Sequence, residues 1–228
     1  MRALRRRAAA CLAALTLLAG VLPAYAGEDA AVFAHPLDAA GLAALLGPAQ
    51  RLAAASGLRG RFEQRKYLQE LPQPLLSSGE FLFARGLGIW WHTRVPFDSV
   101  FVLTRSGIRN TDEGGARMEL RSDDQPAVAG VARIFFALFA LDFRTLSSEF
   151  DLYGMPAADA GPGAWMVGLR PRSSALAGVF GQALIAGAAR ATRVELSDAQ
   201  GDRTVVAIPE ASAIEGPLTP QDRQRFAD

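Results

Sequence analysis

The strongest constraint on the fold lies between Arg59 and Thr104, where four short β-type blocks follow one another with only turn residues between them. Arg59 to Leu68 alternates polar and apolar residues. Ser77 to Ala84 alternates again and sets Gly79, Phe81 and Phe83 on one face. Gly88 to Arg94 and Ser99 to Thr104 are rich in aromatic and β-branched residues, with the turn-forming Val95-Pro96 between them. Arg105-Ser106-Gly107 reads as a further hairpin turn. Strands this close in sequence have no room for crossover helices, so they must run antiparallel, as a strongly curved meander.

The flanks read differently. Leu37, Leu42, Leu45, Leu46 and Leu52 recur at roughly helical spacing between Leu37 and Ala55, with Asp38 as a first-turn acid and a break at Pro48. Pro126 to Phe143 is apolar almost all round, its one charge before Asp142 being Arg133. Thr145 to Tyr153 is predicted as a short helix with Leu146, Phe150 and Tyr153 on its apolar side. Strands return at Trp165 to Arg170 and Thr192 to Ser197. Thr204 to Ile208 pairs with the latter across a hairpin loop, Asp198 to Asp202. Ser173 to Ile185 admits two readings, since its alanines favour a helix and its glycines interrupt one. The polar tail from Gly216 is predicted to lie over the surface.

The first 26 residues read as an export signal. Arg2, Arg5, Arg6 and Arg7 precede an apolar run from Ala8 to Val21, and Ala24-Tyr25-Ala26 offers the small residues of a cleavage site. That run is shorter than the ~20 residues of a spanning helix. Cleavage would remove Cys11, the only cysteine, together with four of the 24 Lys and Arg and none of the 23 acids, so the balance over 27–228 is 20 − 23 = −3. The expected mature segment, 228 − 26 = 202 residues, fits one domain without thiol chemistry or disulfides. A net negative charge gives no electrostatic footprint for nucleic acid.

Motifs for covalent chemistry are sparse. His35 and His92 are the only histidines, neither in a metal-ligand spacing. There is no GxSxG nucleophile elbow and no GxxxxGK phosphate loop, while Asp112-Glu113 and Asp123-Asp124 fall in turn-like segments where carboxylates are solvated. No catalytic residue, metal or cofactor is assigned. The informative feature is apolar surplus. A helix over one sheet needs a single apolar stripe, whereas 126–143 carries aromatic groups on at least two faces. Such a helix is either sandwiched between other elements or turned with one face to an apolar ligand.

The order Phe62-Glu63-Gln64, then Ser78-Gly79-Glu80-Phe81-Leu82-Phe83-Ala84-Arg85, then Trp91 and Pro96, resembles the periplasmic outer-membrane lipoprotein carrier (LolA-like) family. The resemblance implies an α+β fold, an open (incomplete) antiparallel β-barrel of curved strands with helices forming a lid over an apolar cavity. It implies a non-enzymatic, monomeric periplasmic carrier of lipoprotein acyl chains or another lipid, loaded by an inner-membrane transporter and unloaded at an outer-membrane receptor. By the same resemblance Phe62, Phe81, Phe83, Trp91, Val100 and Val102 would line the barrel, and Phe135, Leu138 and Phe139 the inner side of the lid. Arg85 would tie lid to barrel through lid backbone. The chain departs from the family after Gly107, where Ile108-Arg109-Asn110-Thr111 replaces an aromatic strand, and in its Phe-rich helix. These departures resemble a divergent branch, whose cargo would be an aryl-polyene or another acylated lipid; a separate alternative is lipid sensing by a regulatory protein of related fold.

Overall fold

The computed structural model describes residues 31–47, 55–123, 133–137, 139–157, 160–177, 181–198 and 200–227. The expected signal segment, residues 126–132 of the apolar run, and Leu138 lie outside the described residues. Twelve strands form one antiparallel sheet: β1 (Gly57–Tyr67), β2 (Leu75–Ala84), β3 (Gly88–Val95), β4 (Ser99–Thr104), β5 (Gly107–Asp112), β6 (Arg117–Arg121), β7 (Phe150–Pro156), β8 (Trp165–Pro171), β9 (Gln182–Gly187), β10 (Ala191–Ser197), β11 (Arg203–Ala207) and β12 (Ala211–Ile214). The strand order is β6-β5-β4-β3-β2-β1-β11-β10-β9-β8-β7, with β12 beside the first half of β1. The path does not return on itself, so the sheet is open, with β6 and β7 at its ends. Among the described residues helices are few and short: α1 (Ala39–Leu45), α2 (Phe143–Glu149), α3 (Ser174–Ala177) and α4 (Pro220–Gln224), with helical residues also at 133–137 and 139.

The meander of four strands is therefore six strands long. β5 and β6 carry polar residues such as Asn110, Thr111 and Glu119 and so lack an apolar alternation, yet they pair from Gly107↔Arg121 to Thr111↔Arg117. Thr145 to Tyr153 is not one helix. α2 begins at its cap, where Asp142 accepts the Thr145 amide at 3.1 Å, and it ends at Glu149. Phe150 and Tyr153 belong to β7, paired with Pro171 and Gly168. Ser173 to Ile185 divides between α3 and β9. The tail is anchored rather than draped. β12 pairs with β1, and α4 starts with a capping box in which the Thr219 hydroxyl accepts the Asp222 amide and the Asp222 carboxylate accepts from Thr219.

Directly paired residues in an antiparallel sheet share a face. Following the register from Phe81↔Trp91↔Phe101 across β1 to Gln64↔Val206↔Val194↔Ile185↔Val167 defines one continuous inner face. The helical residues settle against it. Ile134 and Ala137 bury themselves in the cluster of Trp165, Val167 and Leu169, while Phe135, Phe136 and Phe139 pack on that of Phe83, Ile89 and Leu103. One short segment thus touches both halves of the sheet, so the sheet curls around it. Aromatic groups on two faces are accounted for by this sandwiching between the two halves.

The outer face has its own covers. Val32 and Phe33 lie on Met166 and Leu184, and Phe226, just after α4, lies on Leu82, Trp90 and Val102. Gly168 makes room for this packing, since a Cβ there would stand 2.7 Å from the Phe33 ring.

Candidate apolar ligand site

Four of the barrel residues implied by the resemblance converge on the inner face. β2 presents Phe81 and Phe83, β1 presents Phe62 and β3 presents Trp91, because i, i+2 positions of a strand point the same way. Phe62 stacks on Trp91 with ring centroids 3.8 Å apart and planes at 27°. Phe81 also stacks with Trp91, at 5.9 Å between centroids. Phe139 closes the set from the helical side, 5.8 Å from Phe81, 5.9 Å from Phe83 and 6.5 Å from Trp91. The close Phe62 ring explains the glycine of the β2 pattern. A Cβ on Gly79 would lie 3.0 Å from Phe62 Cε1 and 1.9 Å from the His92 carbonyl oxygen.

Phe62, Phe81 and Phe83 are buried, and Trp91, Phe135 and Phe139 are partly buried. The set is thus hydrocarbon covered by a partly exposed cover. Phe101, Leu103 and Ile89 share the face and were not singled out in the sequence, although the period-2 pattern of β3 and β4 already placed them with Trp91 and Phe81.

Val100 and Val102 do not line the inner face. The register Trp91↔Phe101 puts the odd residues of β4 inward and the even ones outward. Val102 pairs with Trp90 and packs with Leu82 and Phe226 on the outer face, and Val100 packs against the same cluster. Leu138 lies outside the described residues. Arg85 Nε donates to the Ala55 carbonyl at 3.0 Å, and its backbone N–H to the Ser56 carbonyl at 2.8 Å. Both partners precede β1, so this bond ties the β2–β3 turn to the entry of β1.

Two clefts open at the ends of the inner face. One, of about 480 Å³, lies between the β2–β3 turn and the helical residues, walled by Phe83, Leu87, Phe136 and Ala140 and bordered by Arg85, Arg105 and Arg133. The other, of about 810 Å³, lies between α1 and the end of β7, walled by Leu37, Leu45, Gly154 and Pro156. At the far end of β1–β4, Leu75, Leu76, Val95 and Phe97 are exposed, Phe97 to 71%. No group of three or more His, Cys, Asp or Glu among the described residues is placed to hold a metal ion, and no described helix is long and apolar enough to cross a membrane.

No family model and no curated protein matches the sequence. Among solved structures, the chain is similar to a LolA superfamily protein from Nitrosomonas europaea, with 11% identity over 81% of this chain and 96% of that one and a TM-score of 0.43. It is also similar to a putative outer membrane lipoprotein-sorting protein domain from Vibrio parahaemolyticus, with 10% identity, coverage of 79% and 96%, and a TM-score of 0.39. A third similar structure is the MucA/MucB complex of Pseudomonas aeruginosa, with 12% identity, coverage of 79% of this chain and 59% of that one, and a TM-score of 0.43.

Proposed function

We propose that this protein is a carrier of acyl lipid: exported to the periplasm by residues 1–26, it takes acyl chains of lipoproteins, or of another acylated lipid, from an inner-membrane transporter and yields them to an outer-membrane receptor as a monomer. The observation that carries this reading is the seat of Phe139. A partly exposed ring packs on the aromatic surface of Phe81, Phe83 and Trp91, with Phe62 in the same cluster, inside a sheet that is open.

A carrier needs an apolar surface that is covered when empty, because bare hydrocarbon in water costs free energy and recruits wrong partners. It also needs a cover that a ligand can displace. An acyl chain gains ~0.8 kcal/mol per buried CH₂, so a chain of ordinary length outweighs the contacts of one aromatic ring. The helical residues around Phe139 then act as the lid, and the inner face of β1–β4 as the cavity wall. The exposed Leu75, Leu76, Val95 and Phe97 at one end of these strands give the carrier an apolar rim to present to donor and acceptor.

The test is displacement of an environment-sensitive acyl probe. The expected result is saturable binding at one probe per chain, competed by free fatty acid. A folded protein that leaves the probe unbound overturns the reading.

A further inference from the structure

The cleft of about 480 Å³ is apolar on one side and cationic on the other. Its apolar wall is continuous with the aromatic surface, because Phe83 belongs to both. Its cationic border comes from two adjacent hairpin turns and the helical segment. The β2–β3 turn closes with the Leu87 amide donating to the Ala84 carbonyl at 3.0 Å, and Gly86 takes φ 81°, a left-handed conformation that glycine adopts without strain. This turn sets Arg85 at its corner. The β4–β5 turn lies beside it, since Gly88 pairs with Thr104, and it carries Arg105. Arg133, at the start of the described helical residues, also lines the cleft.

The charges around this cleft do not balance. Arg133 is paired with Glu149. Asp142, the carboxylate on the border, is committed to capping α2, accepting the Thr145 amide at 3.1 Å and its hydroxyl at 2.7 Å. Arg85 spends only Nε on Ala55, which leaves both Nη groups without a partner among the described residues. Among the described residues, no hydrogen bond or ion pair engages Arg105 at all. Counting only partners among the described residues, two guanidiniums with open donor forks therefore flank the mouth of an apolar pocket. A planar guanidinium with parallel donors fits a carboxylate or a phosphate bidentately, and it gains less from a neutral head, which offers single, weaker acceptors.

We propose that this cleft is a headgroup site, and that the cargo is an amphiphile with an anionic head, held by Arg85 and Arg105, whose tail runs past Phe83 towards Phe139. This rests on the carrier reading and narrows it to acidic acyl lipids. A free fatty acid and a lipid phosphate share the required chemistry.

Competition against the acyl probe at mildly alkaline pH separates the cases, using oleate, oleoyl lysophosphatidate and the neutral oleyl alcohol. The expected result is that both acids displace the probe at concentrations at least about tenfold below that of the alcohol, as charge-assisted hydrogen bonds to a guanidinium require. The tighter of the two acids identifies the head as carboxylate or phosphate. R105Q and R85Q should each shrink the acid preference several-fold and leave the alcohol unchanged. R105Q, which breaks no side-chain hydrogen bond or ion pair among the described residues, keeps the test sound if R85Q fails to fold. Equal displacement by acid and alcohol, or variants that weaken both alike, would overturn the headgroup site while leaving the carrier reading intact. Failure of all three to displace the probe would overturn both.

Discussion

The Arg59 guanidinium donates to Asp222 Oδ2 at 2.9 Å across 163 positions of sequence, and so pins the C-terminal helix to the first strand of the sheet. The Asp222 side chain is 5% exposed while that of Arg59 is 50% exposed. Most of the value of the pair therefore sits in the buried carboxylate and its capping bonds, and less in the ion pair itself, which solvent screens. Asp222→Ala removes the capping box and is expected to cost about 1–2 kcal/mol, and Arg59→Ala less. Urea denaturation of the two variants checks the order.

The same carboxylate makes stability depend on pH. Burial pushes the Asp222 carboxyl up, but the hydrogen bonds from Thr219 and the Arg59 charge outweigh it and hold it below the usual carboxylate range. Glu80 is lowered likewise, its desolvation outweighed by the hydrogen bond and charge of Arg94. A group whose pKa is lower folded than unfolded adds stability above the unfolded value, ~3.9 for Asp and ~4.3 for Glu. That stability is lost as pH falls through the folded value. Unfolding free energy should therefore hold level down to about pH 5 and fall below about pH 4. In Asp222→Asn the fall should be shallower, as seen in urea titrations across that range.

Phe139→Ala distinguishes a displaceable cover from an ordinary core residue. Removing a partly buried ring from Phe81, Phe83 and Trp91 is expected to cost about 2 kcal/mol. Under the carrier account it also vacates the seat an acyl chain takes, so the acyl probe should bind more tightly than to the unsubstituted protein. Thermal unfolding and a probe titration on the same sample give both numbers. Lost stability with weaker probe binding speaks against displacement.

Phe226→Ala is the matched control on the outer face. Phe226 packs with Leu82, Trp90 and Val102, away from the inner surface. Its loss is expected to cost about 3 kcal/mol and to leave probe affinity within twofold. A large change in affinity would mean that the two faces do not act separately.

How much of this was legible in the sequence depended on how far local pattern coincides with packing. β1 to β4 were legible because an inner apolar face and an outer mixed face impose a period of two, and because the turns between them are short. Phe150 reads as helical because it stands four residues after Leu146, the spacing of a helix, whereas the two side chains enter one cluster from different elements. β9 was obscured by its alanines. A strand flanked by β8 and β10 on both sides gets its hydrogen bonds and burial from neighbours, not from its own propensity. β5 and β6 carry too few apolar residues to show alternation. α4 left a usable signal, Thr219 at the cap with Asp222 three residues on and Phe226 beyond. At the site, the aromatic residues of β1–β3 followed from alternation, whereas Val100 and Val102 needed the register of β3 on β4. Arg105 gave no sign, since only the pairing of Gly88 with Thr104 brings its turn beside Arg85.

The central claim, that the inner face carries an acyl lipid, is tested most directly by isolating the protein without detergent from the envelope of its own cells and analysing an organic extract by mass spectrometry. The account predicts an acyl lipid in near one-to-one ratio with the protein, chased off by excess acyl probe. Folded protein whose extract holds no more lipid than that of an unrelated envelope protein prepared in the same way would contradict it.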